Sequence, residues 1–297
     1  MLRLSNLSYR AQRIVIIVSF SFIPIALLVT FGYLPVLGMF KYSFTDWNGL
    51  SPSYHWVGFD NFKTIFTDEK YYEGFINSIY YFVGSFVQLA IALYFATILS
   101  FAVRGKSFFK GVLFFPSMIN SVAVGLIFLF FFRPEGTLDS ILGFFGITNP
   151  PHWLLNPKII NISLVGASLW RYLGFNFILL LGAISSVPSD LYEAAEIDGA
   201  NRWHQFRYII LPSIRRIVSV TLILSISGSV APFEIPYIMT GGSNGSNTFV
   251  IQTVKTTFSF NKYGMGSAMA VVLFLIVVLV TVIQKTFIKE EKKNDRH

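Results

Sequence analysis

Six apolar stretches, each long enough to cross a bilayer, leave this 297-residue chain few folds to choose from. A helix needs about 20 predominantly apolar residues to span the hydrocarbon core. Inside that core every backbone polar group must be satisfied internally, so the spans are read as helices. They fall near residues 14–40, 75–103, 111–132, 159–185, 215–238 and 267–288. The polar connections are then 41–74, 104–110, 133–158, 186–214 and 239–266. Charged residues make up only 13% of the chain, against about a quarter in a soluble domain. The expected fold class is an all-α polytopic membrane protein with six transmembrane helices. It forms a single transmembrane domain over 1–297 and has both ends on one side.

Lysine and arginine indicate which side that is, because short cytoplasmic loops collect them. One set holds Arg3, Arg10, Arg13, Arg104, Lys106, Lys110, Arg202, Arg207, Arg215, Arg216, Lys285, Lys289, Lys292, Lys293 and Arg296. The other holds Lys41, Lys63, Lys70, Arg133, Lys158, Lys255 and Lys262, so the balance is fifteen to seven. Both termini and the 186–214 connection are therefore expected in the cytoplasm. The net charge of +8 is topological and needs no nucleic acid partner; membrane lipid is the expected surround. The first apolar run is too long for a signal peptide and lacks a small-residue cleavage site, so it is expected to stay as a span. Pro24 and Pro35 within it predict kinks or an early end.

The chain is poor in catalytic constellations. It has no cysteine, and its histidines (55, 152, 204 and 297) fall in no metal-ligand spacing, so no metal site is expected. Gly105-Lys106-Ser107 matches only the tail of a phosphate-binding loop: Ser100 stands at the first glycine position, and an apolar helix precedes it where a strand is needed. No HExxH or GxSxG occurs. No catalytic residues are expected, no cofactor bound by this chain, and no ATP hydrolysis.

The 188–212 segment, PSDLYEAAEIDGANRWHQFRYIILP, is polar and lies between two spans. Asp190 and Glu193 have the capping-box spacing that opens a helix. Gly199 supplies the residue type that most easily ends one. A second short helix is expected from about Asn201 to Ile210, with Trp203, Phe206 and Ile210 on one face. Pro212 then ends that pattern or opens the next span in its first turn. The result is a helix-turn-helix presenting its faces to a partner.

Glu193-Ala194-Ala195, then Gly199, then Ile209 and Leu211-Pro212 resemble the EAA loop of binding-protein-dependent ABC importer permeases, with no gap in the spacing. SFTDWNG and WVGFDNFKTIFTD before the second span, and PYIMTGGSNGSNT followed by YGMGSAMAVVLF near the sixth, are similar to the carbohydrate-uptake subgroup. The resemblance covers most of the chain from about residue 35. It implies a type I ABC importer permease fold in a bacterial or archaeal cell membrane, its first span peripheral to a five-helix core. It also implies a second permease subunit (a paralogue), two ATP-binding subunits that carry ATP and Mg, and an extracytoplasmic solute-binding protein. Glu193, Ala194, Ala195, Gly199, Leu211 and Pro212 are then the residues that couple to the ATPase.

Such a permease needs a polar pathway through apolar helices. Arg171, well inside the fourth span, and Glu234, between Pro232 and Pro236 near the outer end of the fifth, are candidates for it. Asn120, Ser168, Tyr172, Asn176, Ser225 and Ser229 join them. Amides, hydroxyls and aromatic faces suit a sugar or oligosaccharide. Other readings stand beside this one. Arg171 can be a structural partner of a carboxylate or carbonyl, Glu234 can sit among headgroups, and the other polar groups can pack helices together. Pro232 and Pro236 should break the fifth helix, and the glycine-rich 241–247 stretch is expected to be flexible. Alternatives in transport are an importer for glycerol phosphate or a polyamine, or a solitary secondary transporter, which would more typically show inverted repeats.

Overall fold

The computed structural model describes residues 8–101 and 103–294, with side chains as far as Thr286. Arg3, Arg296 and His297 lie outside the described residues, as do the side chains of Lys289, Lys292 and Lys293. The described residues are helical apart from loops and one isolated antiparallel bridge between Thr45 and Trp56. Five helices are long and apolar enough to cross a membrane, and a sixth crossing needs a bent pair of helices. The chain divides into two compact units, residues 1–64 with 256–272, and residues 65–255 with 273–297.

In the first unit, α1 (Tyr9–Leu28), a π turn (Val29–Tyr33) and α2 (Leu34–Tyr42) run on as one 34-residue stretch. Neither Pro24 nor Pro35 ends it, so of the two outcomes expected from sequence the early end does not occur. Pro24 is carried inside α1, and Pro35 directly follows the π turn within the continuous stretch. Residues 43–59 then fold back on themselves. Asn61 Nδ2 donates to the carbonyls of Ser43 (2.9 Å) and Thr45 (2.8 Å), and the Gly264 amide donates to Trp47 O (2.8 Å). Tyr42 stacks on Trp47 at 4.3 Å between ring centroids, and Trp47 meets Tyr263 at 5.6 Å. Part of the aromatic loop is thus used for packing, while Trp56 and Phe59 stay exposed. The backbone N–H of His55, donating to Asp46 Oδ1 at 2.7 Å, holds the Asp46 carboxyl below its usual range.

After α3 (Asp60–Thr67), the second unit is built on α4 (Glu69–Ser100) and α8 (Ile160–Ser185), which pack along each other. Tyr81, Ser85, Gln88, Ala92, Ala96 and Leu99 recur at helical spacing on the buried face of α4. Leu89, Phe177, Leu180, Ile184, Ile210 and Ile214 make one apolar cluster; Val124, Ile160, Leu164, Ile235 and Met239 belong to another.

The third apolar stretch is not one straight helix. α5 (Lys106–Met118) and α6 (Ser121–Phe132) meet at 101°, so Lys106 and Lys110 are helical and not part of a loop. Pro116 weakens the last turn of α5, and Ile119 is extended. Asn120 then caps α6, its Oδ1 accepting from the Val122 amide at 2.8 Å. α7 (Thr137–Phe144) follows, tied down where Trp153 Nε1 donates to Asp139 Oδ1 at 2.9 Å. The fifth span divides as expected at Pro232: α11 (Leu211–Val230) stops, and α12 (Glu234–Thr240) begins after three residues. α13 (Phe249–Val254) packs on α4, and α14 (Tyr263–Asn294) passes from the first unit into the second.

The 241–247 stretch is pinned, which corrects the expectation of flexibility. Asn77 Nδ2 donates to Asn247 O (2.9 Å), and Asn161 Nδ2 to Gly245 O (3.0 Å) and Asn77 Oδ1 (3.2 Å). Asn244 Nδ2 reaches Leu154 O at 3.1 Å, while Thr240 and Ser246 share a 2.7 Å hydrogen bond. Asn161→Leu keeps the branching of the side chain and removes the donor, and each orphaned acceptor costs about 1–3 kcal/mol. The variant should unfold at a lower temperature in detergent and be cut faster in this loop by a protease. An unaltered melting temperature with unaltered cleavage would show that the amides hold nothing.

Candidate functional site

Two regions gather the residues singled out from the sequence. The first is the polar segment between α8 and α11, which forms α9 (Ser189–Ile197) and α10 (Arg202–Gln205). The capping box does not form. Pro188 occupies the cap position and has no N–H to offer Glu193, so Asp190 falls inside the first turn. There its charge still complements the helix dipole. Gly199 ends α9 as expected, at φ +77°, with Ala200 N donating to Ala195 O (2.8 Å) and Gly199 N to Glu196 O (3.1 Å). Asn201 Oδ1 accepts from His204 N at 2.9 Å and starts α10.

Beyond α10 the backbone passes through a π turn (Phe206–Ile210) directly into α11, with Pro212 in its first turn. The wider turn shifts the helical register. Trp203 is therefore 66% exposed while Ile210 is fully buried, so the expected common face is split. Gln205, Ile210 and Ile214 are buried within the second unit and anchor this elbow, and Arg202 lies 5.2 Å over the Phe101 ring. Burial pushes the Tyr192 hydroxyl above its usual pKa. Leu191, Ile197, Trp203 and Tyr208 are left exposed, Ile197 at 87%. Glu193 and Ala194 are exposed as well, and Ala195 is half-buried. This is an ordered surface with apolar side chains facing outward.

The second region is a cavity of about 730 Å³ between α4, α5, α8 and α11, reaching the break before α12. Ser168, Arg171, Tyr172, Asn176, Ser225, Ser229 and Glu234 all line it. Asn120 does not; its side chain is spent on the α6 cap, which corrects that expectation. Sequence reading missed Tyr81, Ser85 and Gln88 from α4 and Ser117 from α5. The signal was available: positions 77, 81, 85 and 88 set polar groups on one helical face within an apolar run.

Hydrogen bonds decide what this lining can offer. Asn176 Nδ2 donates to Ser225 Oγ at 2.8 Å and ties α8 to α11. Ser168 and Ser229 donate back to Leu164 O and Ile226 O on their own helices, at 3.0 and 2.7 Å. Arg171 places its guanidinium 4.8 Å from the Tyr172 ring centre, and its Nε is buried without a partner. The Tyr81 hydroxyl is likewise buried and unpaired. Among the described residues, neither Arg171 nor Glu234 is in an ion pair. The structural-pair reading of Arg171 has no carboxylate to rest on.

A helical unit with apolar spans, one of them divided, a cavity that carries polar side chains and an ordered surface elbow has the layout of a permease, one component of a transporter. Residues 88–292 match the family described as binding-protein-dependent transport system inner membrane components, and the chain belongs to it. Relatives include the probable ABC transporter permease protein YurN of Bacillus subtilis, 31% identical over 84% of this chain and 88% of that one. The multiple sugar-binding transport system permease protein MsmF of Streptococcus mutans is 30% identical over 85% of this chain and 87% of its own. The fold matches a crystal structure of a bacterial ABC transporter involved in alginate import, with TM-score 0.84 at 20% identity, covering 94% of this chain and 96% of that one. The chain is thus a multi-pass cell-membrane permease with a type I ABC importer fold, and it is a transport subunit, not an ATPase.

Proposed function

We propose that this permease moves a sugar or oligosaccharide into the cell by alternating access, through the cavity between α4, α5, α8 and α11. The observation that carries the reading is the convergence of seven sequence-selected polar residues on that one cavity, next to the break between α11 and α12. Freed backbone carbonyls at such a break are tolerated beside water or protein, as a gate requires. The relative named for multiple sugars supports a saccharide cargo.

In this reading a solute-binding protein delivers the cargo from outside, and two separate subunits bind ATP and Mg. A second, paralogous permease completes the pathway. Both termini and the α9–α10 elbow face the cytoplasm, in line with the lysine and arginine distribution. The elbow is the point where ATPase motion enters. Glu193, Ala194 and Ala195 lie on its partner-facing surface, Gly199 fixes its turn, and Leu211 and Pro212 join it to α11. A polyamine cargo is disfavoured because Arg171 would repel it.

The test is reconstitution of the purified assembly in proteoliposomes with ATP supplied on the ATPase side. Labelled maltooligosaccharides and other sugars should accumulate only with ATP and the binding protein present. Uptake by this chain alone, driven by an ion gradient, would overturn the reading in favour of a solitary carrier.

A further inference from the structure

We infer that the cargo of this permease carries an oxyanion, received by Arg171 and Tyr81. The inference rests on the cavity being the transport pathway and adds the chemical class of what passes through it. Its starting point is a mismatch between donors and acceptors. Most lining groups are already committed: Asn176 to Ser225, Ser168 to Leu164, and Ser229 to Ile226. Two donors are not. The Arg171 Nε–H has no acceptor, and the Tyr81 hydroxyl, in a side chain only 6% exposed, has none either. Both residues line the same cavity.

An arginine offers only donors and keeps its charge in any protein environment. The Tyr172 ring beneath it balances part of that charge and supplies no acceptor to Nε. A neutral hydroxyl brings a donor along with its acceptors, whereas a carboxylate brings acceptors alone and a compensating charge. An oxyanion thus answers both orphan donors and the unpaired charge together. Glu234, the carboxylate in the same lining, stands exposed at the start of α12, where the helix dipole favours it. It does not neutralise Arg171, since the two form no ion pair.

The chain has no cysteine, so a single introduced thiol is its only one, and labelling is read on this chain after it is separated from the rest of the assembly. Ser168→Cys is nearly isosteric and lies three residues before Arg171 on α8, on the same lining. The full assembly in native membranes is treated with two thiol reagents of similar size, a sulfonate-bearing and a trimethylammonium-bearing methanethiosulfonate. A fixed cation in a low-dielectric cleft raises the local anion concentration about tenfold or more. The sulfonate reagent should therefore react at least about tenfold faster than the cationic one, relative to their rates with free thiol. Arg171→Gln should bring that ratio near one, and Glu234→Gln should raise it. Equal rates, or a ratio unmoved by Arg171→Gln, would overturn the oxyanion inference and leave the pathway reading standing. Failure of both reagents to label the introduced thiol would show a cavity closed to water, and the pathway reading would fall with the inference.

Discussion

Replacing Ala195 or Gly199 with a bulky charged residue should abolish uptake while the protein stays in the membrane at its normal level. The two positions reach that outcome differently. At Gly199 the surroundings are open, so a lysine meets no clash, but it must hold φ +77°. That conformation costs an ordinary L-residue roughly 1–2 kcal/mol, enough to unmake the ending of α9 and misaim the elbow without unfolding the spans. At Ala195, an arginine adds length and charge to a surface read as seated in an ATPase groove, and a charge trapped there without a partner costs several kcal/mol. Ile197→Asp is the cleaner companion, because an 87% exposed isoleucine contributes little to its own chain's packing. Uptake and membrane abundance are measured side by side. Normal uptake by all three variants would remove α9 from the coupling path.

The second large effect is expected at Gly174, on the α8 face that meets α5. A methyl group there would stand 2.6 Å from Leu113 O and 2.9 Å from Phe114 Cα, so the helix backbones touch and no flexible side chain can yield. Overpacking of this kind costs about 1–3 kcal/mol for a small addition, and Gly174→Val adds more than one methyl group. Because Phe114 lines the cavity, a displaced α5 also distorts the pathway wall. Membrane abundance should fall several-fold, with the remaining protein melting earlier in detergent. Gly182, on the same helix, has open space where a side chain would go, so Gly182→Val serves as the control. Equal loss at both positions would mean that the close approach of α5 and α8 is not the cause.

What could be read from the chain depended on how local the controlling interaction is. The spans were legible because lipid imposes a length and a composition on each helix independently of its neighbours. The division near Pro232 and the turn at Gly199 were legible for the same reason, since proline and glycine act on their own backbone. The bend between α5 and α6 had its signals, Pro116 and Asn120, but an unbroken hydropathy run outweighed them. The 241–247 stretch was misjudged because the groups that fix it, Asn77 and Asn161, lie 170 and 84 residues away in sequence from the loop carbonyls they hold. No local composition reports that. The capping box was misplaced by a shift in helix start, with Pro188 taking the cap. In the cavity, the polar residues of α8 and α11 were found, whereas the α4 stripe was overlooked because each of its members alone looks like ordinary helix packing.

Nucleotide-driven force is proposed to enter this permease through α9. Ile197→Cys in the otherwise cysteine-free chain tests it directly, by cross-linking in membranes that contain the whole assembly. The expected result is a single cross-linked product with the ATP-binding subunit, its yield changing when ATP is added, and no labelling of the introduced cysteine by impermeant reagents applied outside intact cells. Labelling from outside, or a cysteine that meets no ATP-binding subunit while uptake proceeds normally, would contradict the account.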